Sequence, residues 1–314
     1  MQLLGNTSQA SKDLLDTKTL SSEELVEILN TARNMKKVLD SGHKKTAYLQ
    51  GKTVVNLFYE NSTRTRLSFE LAAKYLGANT ANITAGSSSV KKGESLLDTS
   101  VTIDRMATDF LVMRHPESGA PHSIASRVGA SVINAGDGMN EHPTQGLLDV
   151  FTMEDKLGHI EGLKVAILGD ITHSRVARSN IWALQALGAQ VYLAGPRTMI
   201  PKDIILSGAI LCESYDEACE NADVLMALRI QLERQHNGLF PSVAEYSKLY
   251  SLTERLVQKA KPEALIMHPG PVNVGVELPR SVQHSAQAVI AEQVTNGVAI
   301  RMAILYLLNL RRNR

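Results

Sequence analysis

Hydroxyl and guanidinium side chains cluster at residues 62–66, Ser-Thr-Arg-Thr-Arg. They follow an apolar stretch, residues 53–60, that we predict to be a buried strand. They precede a helical pattern over residues 67–76 that is closed by Gly77. A helix start offers unpaired backbone N–H groups and a partial positive charge, and forked guanidinium donors suit phosphate oxygens. This pattern predicts a phosphate-binding site.

The two arginines of this cluster have different interpretations. Basic residues in a first helical turn oppose the helix dipole, which favours a bound anion beside them. Arg64 has no acidic residue three or four positions later, so we assign it to anion binding. Arg66 is followed one turn on by Glu70, and for it we favour an ion pair. The alternative for Ser62 is a purely structural N-cap.

A second strand–helix–strand unit lies at residues 163–169, 174–187 and 190–194, and further strands are predicted at 222–228 and 264–267. Ligands of open parallel sheets bind beyond the carboxyl ends of the strands. An arginine or a histidine lies shortly after each of five predicted strand ends. These strand ends are Glu60, Met113, Gly169, Leu228 and Met267. The sequence therefore predicts basic ligand-binding residues at the strand ends.

The chain has 314 residues, which suits two domains. We predict an α/β fold of two domains, each with a central parallel sheet flanked by helices. An amphipathic helix over about residues 292–310 is predicted to cross back onto the first domain, with one apolar face formed by Val294, Val298, Met302, Leu305 and Leu308. The predicted limits are 1–145, completed by 293–314, for the first domain and 146–292 for the second.

Composition restricts the classes of function. The chain is 44% hydrophobic and 21% charged, with a formal net charge of +1, which argues against nucleic-acid or membrane partners spread over the surface. Cys212 and Cys219 are too few for a disulfide framework or a metal cluster. No signal-peptide pattern is evident at the start. We expect a cytoplasmic protein with no metal and no cofactor.

The segment Ser-Thr-Arg-Thr-Arg-Leu-Ser-Phe-Glu, residues 62–70, resembles the carbamoyl-phosphate signature of the aspartate and ornithine carbamoyltransferases. Five more motifs follow in that family's order: Lys-Lys-Gly-Glu (91–94), Met-Arg-His-Pro (113–116), His-Pro-Thr-Gln (142–145), Arg-Ile-Gln (229–231) and His-Pro-Gly-Pro (268–271). The resemblance thus extends along essentially the whole chain.

The resemblance implies attack of a substrate amine on the carbamoyl carbon of carbamoyl phosphate, with release of phosphate. It implies that Arg114 reaches phosphate and carbonyl oxygen, that His142 donates to the carbonyl oxygen, and that Gln145 orients the carbamoyl amide. The alternative for His142 is a helix-start residue before Pro143. The implied catalytic residues are Arg64, Thr65, Lys92, Arg114 and His142. The implied carbamoyl-phosphate ligands are Ser62, Thr63, Arg64, Thr65, Ser88, Arg114, His142, Gln145, Pro269 and Gly270.

Residues 85–94 form a polar, glycine-flanked stretch, which taken alone indicates a solvated loop. In carbamoyltransferases of the aspartate type the corresponding loop reaches the neighbouring subunit's active site, and Ser88 and Lys92 match its functional positions. The resemblance therefore implies a homotrimer with shared sites. Association with a regulatory chain or another pyrimidine-pathway enzyme stays open.

For the second substrate, Lys92, Arg175, Arg229 and Gln231 match positions that bind aspartate in this family. Ornithine enzymes carry a cysteine in a His-Cys-Leu-Pro motif, whereas residues 268–271 contain none. The implied product is N-carbamoyl-L-aspartate, a pyrimidine precursor. A structural pairing of Arg175 with Asp170 is the alternative for that arginine. Gly270 departs from the familiar His-Pro-Leu-Pro-Arg motif and removes a side chain from the pocket wall.

Two other classes of function fit the sequence less well. A nucleotide-dependent dehydrogenase suits the strand before Gly169, but residues 169–174 lack the second and third glycines that let a pyrophosphate approach. A non-catalytic subunit of the same family would be expected to lose some of the implied site residues. All of them are present, which favours an enzyme.

Overall fold

The protein is described by a computed structural model over residues 11–84, 94–231 and 242–312. Over these ranges it contains a four-stranded sheet of order β2-β1-β3-β4 and a five-stranded sheet of order β7-β6-β5-β8-β9, and every strand pair is parallel. The strands are β1 (Thr53–Phe58), β2 (Asn79–Thr84), β3 (Phe110–His115), β4 (Ser131–Asp137), β5 (Lys164–Leu168), β6 (Gln190–Ala194), β7 (Ile210–Leu211), β8 (Val224–Ala227) and β9 (Leu265–Met267). The predicted fold class of two α/β domains with parallel sheets is confirmed.

Helices cover the sheets. They are α1 (Ser22–Asp40), α2 (Thr63–Tyr75), α3 (Leu96–Arg105), α4 (Ala120–Ala125), α5 (Pro143–Leu157), α6 (Arg175–Ala186), α7 (Tyr215–Cys219), α8 (Val243–Tyr250), α9 (Glu254–Val257), α10 (Arg280–Gln283) and α11 (Ile290–Arg312). Short 3₁₀ turns lie at Arg197–Met199 and Lys202–Ser207. Among the described helices, none has the length and apolar character that a membrane crossing requires.

Strands β1, β3 and β4 of the first sheet are buried, as parallel strands covered by helices are expected to be. Every residue of β3 and β4 is buried, and so are five of the six residues of β1. These strands therefore form rigid supports, and the residues that follow them are held in fixed positions.

Helix α11 returns the chain from the second sheet to the first. It packs against α1, α2 and α5, which confirms the predicted crossing. The prediction that it is amphipathic is wrong: from Ala299 to Leu305 every residue is buried, while Val294, assigned to the buried face, is 60% exposed. The helix lies between three others, so it has almost no solvent face to fill with polar residues.

The predicted division of the chain at residues 145 and 146 falls inside α5, near that helix's first turn. Helix α5 contacts both β4 of the first sheet and α6 of the second. The limits 1–145, 146–292 and 293–314 stay a prediction.

Candidate active site

A cavity of about 400 Å³ opens where the two sheets present the carboxyl ends of their strands. Residues after β1, β8 and β9 line it, together with Arg114 near the end of β3 and residues at the starts of α5 and α6. All predicted site residues that fall within the described ranges line this one cavity: Ser62, Thr63, Arg64, Thr65, Arg114, His142, Gln145, Arg175, Arg229, Gln231, Pro269 and Gly270. The remaining two, Ser88 and Lys92, lie outside the described residues.

The start of α2 forms one wall of the cavity. Ser62 occupies the N-cap position with extended backbone (φ −157°, ψ 95°), but its side chain makes no capping hydrogen bond. The alternative that the Ser62 side chain serves only to cap the helix is therefore wrong. Ser62, Thr63 and Thr65 line the cavity at this helix start, and a helix start with hydroxyl groups attracts anions.

Arg64 extends from this turn into the cavity. Two effects lower the pKa of Arg64: partial desolvation, which is the larger, and repulsion from Arg229. Two like charges held near each other without an anion repel, and a dianionic phosphate between them would relieve that repulsion.

Arg66 does not line the cavity. Its predicted ion pair with Glu70 is wrong, because Glu70 accepts hydrogen bonds from Lys74 Nζ at 2.6 Å and from Asn82 Nδ2 at 3.0 Å. The hydrogen bond from Lys74 is the main cause of the lowered pKa of Glu70, while Arg66 contributes only a weaker electrostatic attraction. Lys74, four positions after Glu70, is therefore the ion-pair partner of Glu70, and Arg66, four positions before it, is not.

Glu60 joins Arg114 of β3 to Arg175 at the start of α6. Its carboxylate accepts from Arg114 Nη2 at 2.5 Å, and from Arg175 Nη2 at 2.6 Å and Nη1 at 3.0 Å. The alternative pairing of Arg175 with Asp170 is wrong, because Asp170 accepts from the backbone N–H and the ring of His173. Sequence reasoning missed Glu60, although its position two residues after the end of β1 was a usable signal.

The start of α5 supplies the next part of the cavity wall. His142 is the N-cap residue, Pro143 is at the first helical position, and the His142 backbone N–H donates to Ser179 Oγ at 2.9 Å. Gln145 lies in the first turn, and its Nε2 donates to Asp149 Oδ1 at 2.9 Å. The backbone at the start of α5 is therefore anchored to α6, and the Gln145 side chain is held by the next turn of α5.

The loop after β9 is held by buried histidine. His268 Nδ1 accepts from the Gly270 N–H at 2.8 Å, and the His268 N–H donates to Gln293 Oε1 at 3.0 Å. Its Nε2 lies 3.2 Å from Glu277 Oε1. Burial lowers the pKa of His268, opposed by Glu277, so the neutral ring accepts at Nδ1 and donates at Nε2.

Gly270 leaves room for Arg64. The glycine has φ +66° and a cis peptide bond to Pro271. A Cβ on this residue would lie 2.6 Å from Arg64 Nη1. The missing side chain noted in the sequence is thus space that the guanidinium group occupies.

Arg301 is a cavity residue that sequence reasoning missed. It lies on α11, buried, with Nη1 donating to Ser68 Oγ at 3.0 Å and to the Gly297 carbonyl at 2.9 Å. Burial lowers its pKa to about 10, opposed by attraction to Asp149. The signal was present, since a lone arginine interrupts the apolar sequence of α11.

The charge of the cavity suits anions. Glu60 is the only acidic residue among its described lining residues. The cavity is also lined by five arginines: Arg64, Arg114, Arg175, Arg229 and Arg301. The described part of the chain contains no cluster of three or more side chains suited to a metal ion. The fold and the site define a class: a two-domain α/β protein with a cationic cavity between its sheets, sized for small anionic ligands.

Comparison with known proteins identifies the family. The model for the aspartate/ornithine carbamoyltransferase carbamoyl-P binding domain matches residues 12–155, and the model for the Asp/Orn binding domain matches residues 161–308. The chain belongs to the aspartate/ornithine carbamoyltransferase family.

Individual relatives agree with this assignment. Aspartate carbamoyltransferase catalytic subunits from Ruminiclostridium cellulolyticum and Acetivibrio thermocellus are 60% and 61% identical over 301 residues, 96% of this chain and 96% of each relative. An aspartate transcarbamoylase from Trypanosoma cruzi, solved with carbamoyl aspartate and phosphate, superimposes with TM-score 0.86 at 31% identity, covering 95% of this chain and 96% of that one. Ornithine carbamoyltransferase from Pyrococcus furiosus gives TM-score 0.84 at 30% identity, covering 94% and 96%.

Proposed function

We propose that this chain transfers the carbamoyl group of carbamoyl phosphate to the amine of L-aspartate, giving N-carbamoyl-L-aspartate and phosphate for pyrimidine biosynthesis. The observation that carries the proposal is the assembly of the twelve described site residues around a single cationic cavity. The relatives named as aspartate carbamoyltransferase catalytic subunits, at 60% and 61% identity, support aspartate as the acceptor.

The reaction needs positioned reactants and charge stabilisation rather than a protein nucleophile. The aspartate amine attacks the carbamoyl carbon, a C–N bond forms, the C–O bond to phosphate breaks, and the amine gives up a proton. We assign the phosphate to the start of α2 with Ser62, Thr63, Arg64 and Thr65. Arg114 and His142 stabilise the developing oxyanion, since donors aimed at such charge contribute most in a water-excluded site.

The carbamoyl amide is assigned to Gln145 and to the backbone carbonyls of Pro269 and Gly270. The aspartate carboxylates are assigned to Arg175, Arg229 and Gln231. Arg175 already pairs with Glu60, so an incoming carboxylate shares or replaces that partner.

The active protein is proposed to be a homotrimer in which Ser88 and Lys92 of one chain complete the site of its neighbour. The first domain, residues 1–145 with 293–314, binds carbamoyl phosphate, and residues 146–292 bind aspartate. Mixing Lys92→Ala chains with Arg64→Ala chains tests the shared site. Partial recovery of activity is expected, because some hybrid trimers contain a site with both wild-type residues. No recovery after verified subunit exchange would contradict it.

The acceptor is tested directly by assaying the purified protein for carbamoylation of aspartate, ornithine and other amines at equal concentration. Aspartate is expected to be the preferred acceptor. Turnover with ornithine and none with aspartate would refute the assignment.

A further inference from the structure

Asp149 lies beneath the cavity and is fully buried on α5. Three side-chain amides from three helices donate to its carboxylate. Gln145 Nε2 and Gln293 Nε2 reach Oδ1 at 2.9 and 2.8 Å, and Asn180 Nδ2 reaches Oδ2 at 2.8 Å. One carboxylate therefore ties α5, α6 and α11 together directly below the proposed carbamoyl site.

An ionised carboxylate only accepts hydrogen bonds, so each amide must turn its NH₂ group toward Asp149 and its oxygen away. For Gln145 the consequence reaches the cavity. No described residue donates to Gln145 Oε1, yet this oxygen is not sealed from solvent, and Gln145 lines the cavity. Asp149 thus makes Gln145 present an acceptor, which the NH₂ group of a carbamoyl ligand needs.

Asp149 also orients an amide that contacts the loop after β9. Because Gln293 points its NH₂ group at Asp149, its Oε1 faces the opposite way and accepts the His268 N–H at 3.0 Å. His268 in turn accepts the Gly270 N–H at 2.8 Å. This chain of contacts fixes the loop that carries the other acceptors assigned to the carbamoyl NH₂, the carbonyls of Pro269 and Gly270.

We propose that Asp149 is a positioning residue that sets the preference of the cavity for a carbamoyl NH₂ group over a methyl group. It does so by orienting Gln145 directly and the 268–270 loop through Gln293. This inference rests on the proposed function, since it concerns which half of carbamoyl phosphate the site recognises.

Electrostatics support an ionised Asp149 at neutral pH. Burial raises the pKa of Asp149 to about 6, while the three amides and the buried Arg301 oppose that shift. Arg301 on α11 supplies positive charge, but its Nη1 donates to Ser68 and Gly297, so the carboxylate oxygens of Asp149 stay available to the amides.

Two stable ligands isolate the carbamoyl NH₂. Phosphonoacetamide has the amide NH₂, and phosphonoacetone replaces it with a methyl group on the same skeleton. Calorimetry on the wild-type protein is expected to show at least about tenfold tighter binding of phosphonoacetamide, because a ligand lacking the donor leaves buried acceptors unpaired. In Asp149→Ala we expect this ratio to fall to within about threefold, with the affinity for phosphonoacetone changed by less than about threefold.

Thr152→Val is the matched control. Thr152 accepts from Asn296 Nδ2 at 3.1 Å and so joins α5 to α11 as Asp149 does, but neither residue lines the cavity. This variant is expected to lose stability and keep the wild-type binding ratio. Should Asp149→Ala fail to fold, Gln293→Met takes its place and is expected to lower the ratio at least about threefold by releasing the 268–270 loop.

An unchanged ratio in the folded variant, or equal weakening of both ligands, would overturn the role of Asp149. So would a wild-type ratio below about threefold. Because binding is measured without turnover, an inactive wild-type protein would count against the proposed function, whereas normal carbamoylation of aspartate with an unchanged Asp149→Ala ratio would count against this inference alone.

Discussion

Replacing Gly270 by alanine tests whether the position of one guanidinium group limits activity. The added Cβ would lie 2.6 Å from Arg64 Nη1 and 3.1 Å from its Cζ, inside normal contact distance. Backbone atoms of the loop are held by His268, whereas the end of Arg64 is flexible. We therefore expect Arg64 to be displaced, by roughly 1 Å, rather than the loop.

A displacement of about 1 Å at a positioning group costs about 10²-fold in rate, or about 2.7 kcal/mol of transition-state stabilisation. We predict a fall of this size in kcat/KM for carbamoyl phosphate in Gly270→Ala. The left-handed backbone adds a stability cost of about 1–2 kcal/mol, because Cβ crowds the following carbonyl at positive φ.

Gly275→Ala separates the two effects. Gly275 is in the same loop with φ +80°, but a Cβ there meets nothing within 4 Å. Urea unfolding should show similar losses of stability for both variants, while steady-state kinetics should show kcat/KM within about threefold of wild type only for Gly275→Ala.

Activity of Gly270→Ala equal to that of Gly275→Ala would show that displacement of Arg64 does not limit the reaction. A double-mutant cycle gives a second check, since in an Arg64→Ala background the Gly270→Ala substitution should have little further effect on kcat/KM. Additive losses would show that Gly270 acts through something other than Arg64.

Other expectations follow from the same contacts. Arg64→Ala should lower kcat/KM by about 10²–10³-fold, whereas Arg66→Ala, outside the cavity, should stay within about threefold in the same assay; equal losses would contradict the phosphate assignment. The pKa of Asp149 is raised from 3.8 to about 6, so between these values the folded protein holds a proton that the unfolded chain releases, and its stability contribution falls as pH rises to about 6. The unfolding free energy of Asp149→Asn, relative to wild type, should therefore rise by about 1.4 kcal/mol from pH 5 to pH 7 in urea titrations, and a pH-independent difference would contradict the raised pKa. Burial raises the pKa of Cys212 to about 11 and that of Cys219 to about 12, so both thiols should react with a disulfide reagent at pH 8 only after unfolding; rapid labelling of the native protein would contradict this.

The phosphate wall of the cavity could be predicted from the sequence because its signals are local. Strand, polar turn and helix follow one another over residues 53–76, and the residues between β1 and α2 had to lie at a strand end and a helix start together. The motifs after the other strands extended the same rule to the second sheet. Neither step required knowledge of side-chain contacts.

The ion pairs of the site could not be predicted in this way. Glu60 meets Arg175 across 115 positions of sequence, so the pairing depends on how the two sheets face each other. The local rule that an arginine pairs with an acid one turn away gave the wrong partner for Arg66, because Lys74 and Asn82 reach Glu70 first. Spacing along one helix does not decide which of several neighbours is closest.

Burial of α11 explains the remaining failure and links it to function. An amphipathic pattern assumes one solvent face, but α1, α2 and α5 surround this helix, and polar residues such as Gln293 and Arg301 therefore point into the protein. Burying polar residues is unfavourable unless they are paired. Gln293 donates a hydrogen bond to Asp149, and Arg301 is attracted to the charge of Asp149. Apolar residues of similar volume would fill this space at lower desolvation cost, so stability alone does not account for the group. The position of Asp149 beneath Gln145 accounts for the group, because a buried carboxylate with amide donors fixes which atom each amide presents to the cavity.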